Sequence, residues 1–285
     1  MIHLGVDTHS YHLRLESGAI SLEEVLAEIA ALGCDCVQLV LHHVRNREIQ
    51  ELEELYRYAE SIGLVLLASG DSLGRAQEDG ARARAVSRVA AWLERAAALR
   101  SPLLRVASGF YRADLASRPD LIESEQRFVI DSLDAVAPLA LSQGVTLLLE
   151  NHSDFTAEEY RTIIEEVGTD GVGVFLDLIN PISAFEDPEP VVSMLAPYAP
   201  AGHIKDYRLR SEFTDDRFHR RGFDVRWCYP GEGAADISSL MRALRAGIRV
   251  PDFHLTIEGL DNRVDRADQS ERIAASLALL RPLVA

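Results

Sequence analysis

The sequence predicts a single (β/α)8 TIM barrel on three observations: eight short apolar runs, helical patterns between them, and metal-binding residue types closing the later runs. A barrel of this kind takes roughly 250 residues, so residues 1–285 are read as one domain. The predicted strands are residues 2–7, 35–41, 64–69, 102–107, 145–150, 172–177, 202–206 and 253–258. After the first strand, Leu22, Val25, Leu26, Ile29 and Leu32 recur at helical spacing. Ser21 with Glu24 forms a capping-box pattern before them, and Gly33 supplies the stop. A last helix near 268–280 completes eight strand–helix units. The alternative is a doubly wound open sheet, but that fold favours fewer strands and a glycine-rich first turn, whereas the first strand here runs into Thr8-His9-Ser10-Tyr11-His12. Residues 207–234 exceed an ordinary connection of about 2–6 residues and are predicted to form a lid loop. Phe213, Phe218, Phe223, Trp227 and Tyr229 within it would close over a ligand or pack on the loop itself.

Composition narrows the partners. Lys and Arg number 29 against 45 Asp and Glu, a formal charge of −16, which opposes binding to nucleic acid. Three cysteines, Cys34, Cys36 and Cys228, have no CxxC spacing, which fits a reducing cytoplasm. No apolar run approaches the roughly 20 residues of a membrane span, and residues 1–7 lack a basic segment followed by a long apolar run. The expectation is a soluble, cytoplasmic protein with a small-molecule substrate and no membrane partner; a homo-oligomer is left open.

Four strands end in a ligand type: Leu149-Glu150, Leu176-Asp177, Gly202-His203 and Ile257-Glu258. Any one of them would be unremarkable as the first polar residue of a loop. Together, at the convergent mouth of a barrel, several carboxylates at the ends of apolar strands are costly unless a cation or ion pair compensates, and a metal is the most economical compensation. Three carboxylates and one imidazole form an oxygen-rich site suited to one divalent ion, Mn²⁺ first, with Mg²⁺ or Co²⁺ as alternatives. His152 and Lys205 each follow a ligand by two residues, so an extended strand turns them to the same side, as substrate contacts or as supports for the ligands. His9, His12, His42 and His43 follow the first two strands, where loops face the mouth or solvent.

The stretches Gly144-Val145-Thr146-Leu147-Leu148-Leu149-Glu150-Asn151-His152, Phe175-Leu176-Asp177, His203-Ile204-Lys205-Asp206, Pro230-Gly231-Glu232-Gly233 and Thr256-Ile257-Glu258 resemble the sugar phosphate isomerase/epimerase superfamily of xylose-isomerase-like barrels. The motif match lies in the C-terminal half. The resemblance implies that Glu150, Asp177, His203 and Glu258 hold the metal, and that Glu150 and Glu258 also act as the acid–base pair. It further implies an isomerase or epimerase of a small keto sugar or related polyhydroxylated ketone, working by proton abstraction and a metal-stabilised enediolate. A dehydratase or other lyase acting on a keto sugar, inosose or 3-keto-glycoside shares that first step. A non-catalytic binding subunit is the alternative from another class. Two positions depart from the family's ketose epimerases: Asn180 stands where they carry His, and Leu209 where they carry Arg. Asn180 also breaks the zinc-cluster pattern of the family's endonucleases.

Overall fold

The computed structural model describes residues 1–212, 222–261 and 268–284. Ten strands are present among them: β1 Ile2–Asp7, β2 Cys36–Leu39, β3 Val65–Ser72, β4 Leu103–Ala107, β5 Thr146–Glu150, β6 Val172–Asp177, β7 Ala201–Ile204, β8 Asp206–Glu212, β9 Gly222–Cys228 and β10 Phe253–Ile257. Eight of these close a parallel barrel in the order β1-β10-β7-β6-β5-β4-β3-β2, so each predicted strand is found where the sequence put it. The first helix, Leu22–Ala31, starts with the reciprocal Ser21–Glu24 capping box, and the last spans Gln269–Val284.

Two-residue alternation divides every barrel strand between two environments. Outward residues such as Leu147, Leu149, Val174, Leu176, Ile204 and Leu255 belong to the large apolar layer shared with the helices. Inward residues Cys36, Leu67, Leu103, Leu148, Phe175 and Ala201 form a separate cluster that plugs the barrel. One inward step further along the strands lie Gln38, Ser69, Arg105, Glu150, Asp177 and His203, all directed to the mouth. The barrel is therefore dry below and charged above, the division expected where strand C-termini build a site on a packed plug.

The described residues of 207–234 do not form an irregular loop. They begin with an antiparallel ribbon of β8 and β9, in which Leu209 faces Val225 and Tyr207 faces Trp227. Phe213 and Phe218 lie outside the described residues. At the ribbon's base the buried Asp206 carboxylate accepts from the backbone N–H groups of Gly231, Gly233 and Ala235 at 3.1, 2.8 and 3.0 Å. The Pro-Gly-Glu-Gly turn is thus wrapped around one carboxylate, and Gly233 is required there because a Cβ would stand 2.2 Å from Asp206 Oδ1.

Candidate functional site

Strand register assembles the site. Asp177 on β6 pairs directly with His203 on β7, and His203 pairs with Thr256 on β10, two residues before Glu258. Gly202 permits this approach, since a Cβ there would meet the Leu176 carbonyl oxygen at 2.0 Å. Glu150, Asp177 and His203 are at most 1% exposed and Glu258 is 7% exposed, so their charges stand almost out of water.

His203 supplies the most informative atom. Its Nε2 lies 2.8 Å from Gln38 Oε1 and 3.1 Å from Asp7 Oδ2. Gln38 is itself oriented by donating from Nε2 to Ser69 Oγ at 2.8 Å, so its oxygen must face the imidazole. In the neutral ring Nε2 then carries the proton and Nδ1 the lone pair, so a cation at Nδ1 would take the place of the ring's second proton. Nδ1 is buried with no hydrogen-bond partner among the described residues, and it faces Glu150 Oε1, Glu258 Oε1 and Asp177 Oδ2 at 3.5, 3.7 and 3.8 Å. Glu150, Asp177 and His203 form one of two described groups able to hold a metal ion; Asp7, His203 and Glu258 form the other. Because Nε2 is already engaged, the side of Nδ1 is the better fit for an ion, and its donor set is three carboxylates and one imidazole nitrogen.

The carboxylates are held in place from behind. Asp177 Oδ1 accepts from the N–H groups of Ile179 and Asn180, both at 2.8 Å, leaving Oδ2 turned inward. Asn151 ties β5 to β6 by donating to the Asp177 carbonyl at 2.8 Å and accepting from the Asp177 N–H at 2.7 Å. Tyr160 donates to the Glu150 carbonyl at 2.7 Å.

The buried Lys205 and the partly buried Arg105 complete the electrostatics. Lys205 Nζ donates to Asp177 Oδ2 at 2.7 Å and Glu258 Oε2 at 2.5 Å, while Arg105 pairs with Glu150. Burial opposes ionisation of Glu150, but Arg105 and His203 outweigh it and hold the carboxyl down at about 2. Glu258 is likewise held well below the usual carboxylate range: burial works against this, and Lys205 and His203 overcome it. His203 shows the reciprocal effect, since burial disfavours its charge yet Glu258, Asp7 and Glu150 lift it to about 10. The mouth thus draws positive charge towards Nδ1.

A cleft of about 700 Å³ opens above these groups, lined by Glu150, Glu258, His152, Lys205, Arg105 and Asn180 among others. Asp177 and His203 do not line it; they are buried behind its wall. His9 and His42 line the cleft as well, whereas His12 Nδ1 turns to the His9 carbonyl and His43 Nδ1 to Thr8 Oγ1. Val225 and Trp227 reach the cleft from the ribbon. Tyr229 does not: it is fully buried and donates to the Ser10 carbonyl at 3.2 Å. Asp7, Gln38, Arg105 and Asn151 were not anticipated from the sequence. Their signal was a polar residue at an inward position of a buried strand, or immediately beyond its end.

The family model described as xylose isomerase-like TIM barrel matches residues 26–283. The chain belongs to this family. Among curated proteins this xylose isomerase-like barrel is similar to the uncharacterized protein YihM of Escherichia coli strain K12, 25% identical over 122 residues. That match spans 43% of the chain and only 35% of the relative's length. Among solved structures it is similar to D-psicose 3-epimerase with D-tagatose from Clostridium cellulolyticum H10, with a TM-score of 0.78, 17% identity and 99% of each chain covered. The 3-keto-D-glucoside 4-epimerase YcjR from E. coli aligns with a TM-score of 0.73 at 18% identity, covering 99% of this chain and 100% of that one. The IolI protein with a binding zinc atom aligns with a TM-score of 0.73 at 17% identity, covering 99% and 98%. At these identities the likeness is one of fold. No helix among the described residues is long and apolar enough to cross a membrane.

Proposed function

We propose that the protein is a divalent-metal-dependent isomerase or epimerase acting on a small keto sugar or related polyhydroxylated ketone. The observation that carries this reading is the division of the four ligand-type residues: Glu150 and Glu258 face the cleft, and Asp177 and His203 anchor the site from behind its wall. In barrel order β7 and β6 stand between β10 and β5, so the two glutamates approach the cleft from separate strands across the anchoring pair. That suits two carboxylates handling a proton at one carbon. A divalent ion held by Glu150, Asp177, His203 and Glu258, Mn²⁺ in our reading, would supply Lewis acidity towards the substrate's oxygens.

The chain's own groups then have distinct tasks. Glu258 or Glu150, ionised beside Lys205 and Arg105, accepts the proton on the carbon beside the carbonyl. In an isomerisation the proton returns from that same carboxyl group to the adjacent carbon; in an epimerisation the other glutamate, once protonated from water, delivers one to the opposite face. Lys205 has two of its three N–H bonds committed to carboxylates, which leaves the third for a substrate oxygen at the cleft floor. His152 offers a further donor from the wall. The β8–β9 ribbon acts as a lid, bringing Val225 and Trp227 over the mouth to exclude water.

The test is solvent deuterium incorporation by Mn²⁺-loaded protein against a panel of ketoses, inosose-like ketones and 3-keto-glycosides, followed by NMR. Label at the carbon beside the carbonyl, lost in Glu258→Gln with metal binding retained, is expected. Loss of water from the product would instead identify a lyase. Near-normal exchange and turnover in both Glu258→Gln and Glu150→Gln would remove the glutamates from the chemistry.

A further inference from the structure

The ribbon above the mouth is amphipathic. Register and alternation place Leu209, Phe223, Val225 and Trp227 on one face, and Arg208, Arg210, Asp224 and Arg226 on the other. The charged face is internally satisfied: Arg226 pairs with Asp224 at 2.6 Å, and Arg208 pairs with Glu232 and Asp261 at 2.8 and 3.1 Å. The apolar face is not covered by the barrel. Phe223 is 64% exposed and Leu209 55%, while Val225 and Trp227 continue that face into the cleft. Trp227 also stacks over the Lys205 ammonium at 5.0 Å, so this face begins directly above the reacting groups.

A second apolar surface adjoins the cleft. Tyr111 is 56% exposed, lines it, and packs its ring 5.7 Å from that of His152. The cleft floor is charged; on the ribbon side and at Tyr111 its lining is aromatic or aliphatic, while Asp71, Ser72 and Asp114 line it elsewhere. A single sugar ring, polar on every edge, would satisfy the floor and leave the apolar lining against water. The volume of about 700 Å³ also lies in the range of pockets that take drug-sized ligands and leaves ample room beyond one ring.

We propose that the natural substrate is a keto-glycoside with an aromatic or alicyclic aglycone, whose ketone-bearing polyol ring sits on the charged floor and whose aglycone lies along Trp227, Val225 and Phe223. This rests on the reading of the floor as a polyol-handling centre. It gives the apolar face of the ribbon an occupant continuous with the site, and it explains why the face keeps large side chains beyond the point where a lone sugar would reach.

The experiment compares binding of matched methyl and 4-nitrophenyl 3-keto-glycosides of glucose, galactose, xylose and mannose to the Mn²⁺-loaded protein by titration calorimetry. For at least one sugar the nitrophenyl glycoside should bind about tenfold more tightly or better, as burial of one aryl ring implies. Phe223→Ser and Leu209→Ser should shrink that preference while leaving the methyl glycoside's affinity unchanged; both side chains are exposed, so their replacement spares the fold. Equal affinities within every pair, or a preference indifferent to both substitutions, would overturn the aglycone assignment and leave the polyol reading intact. Failure of every glycoside to bind would overturn both.

Discussion

Replacing Asp206 with Asn probes the joint that holds the ribbon over the site. The carboxylate accepts from Gly231 and Gly233 at Oδ2, and from Ala235 and Tyr207 at Oδ1. Asparagine keeps one acceptor oxygen, so two of these four N–H groups would face an amide NH₂ instead. At about 1–1.5 kcal/mol for each lost bond, the expected destabilisation is about 2–3 kcal/mol, and Asp206→Ala, which loses all four, should cost about 4 kcal/mol or more. Gly233→Ala attacks the same joint from the other side, because its Cβ would meet Asp206 Oδ1 at 2.2 Å and the Tyr207 carbonyl at 2.3 Å. The two substitutions should therefore be non-additive in a double-mutant cycle. The assays are urea midpoints and amide hydrogen exchange at Gly231, Gly233 and Ala235. An unchanged midpoint together with undiminished protection in Asp206→Asn would refute the idea that this carboxylate organises the turn.

Gln38→Leu should weaken binding of Mn²⁺ or Zn²⁺ by about 10–100-fold, because His203 would lose the acceptor that fixes its tautomer; chelator competition reads the change, and equal affinity would detach Gln38 from the site. Phe175→Ala should cost about 3–5 kcal/mol of stability, since the ring is fully buried in the barrel plug and packs edge-on against His203 at 4.7 Å. The folding transition should also depend on His43, whose pKa burial and the neighbouring His42 push down to about 4. The folded state then binds this proton less readily than the unfolded chain. Its contribution is present above about pH 6.5 and is lost as pH falls towards 4, and His43→Gln should flatten that part of the stability profile.

The barrel was legible because a buried parallel strand writes itself as an apolar run, and β1 and β6 begin and end as expected. The ribbon was missed although β8 and β9 carry a two-residue pattern, Arg208-Leu209-Arg210 and Phe223-Asp224-Val225-Arg226-Trp227. Length alone had marked the segment as a loop, and alternation is the stronger signal. The site divides in the same way. Glu150, Asp177, His203 and Glu258 stand at strand ends, where a carboxylate or imidazole is conspicuous. Gln38 and Arg105 lie within strands and are distinguished only by sharing the inward phase of Cys36 and Leu103. Which nitrogen of His203 remains available could not be read from the sequence at all, since it depends on Gln38 and Asp7, more than 160 residues away in the chain.

The barrel closes by pairing β1 with β10, and this orders events during synthesis. Until residues 253–257 have emerged, β1 and β7 are unpaired edges of an open parallel sheet, the type of edge that recruits other chains. The same strand delivers Glu258 beside His203 and Asp7, so the last ladder to form also brings in the last acidic wall of the mouth. Translation therefore leaves an open-edged sheet for most of its course, and a nascent chain halted before β10 would lack both the closing ladder and the Glu258 carboxylate.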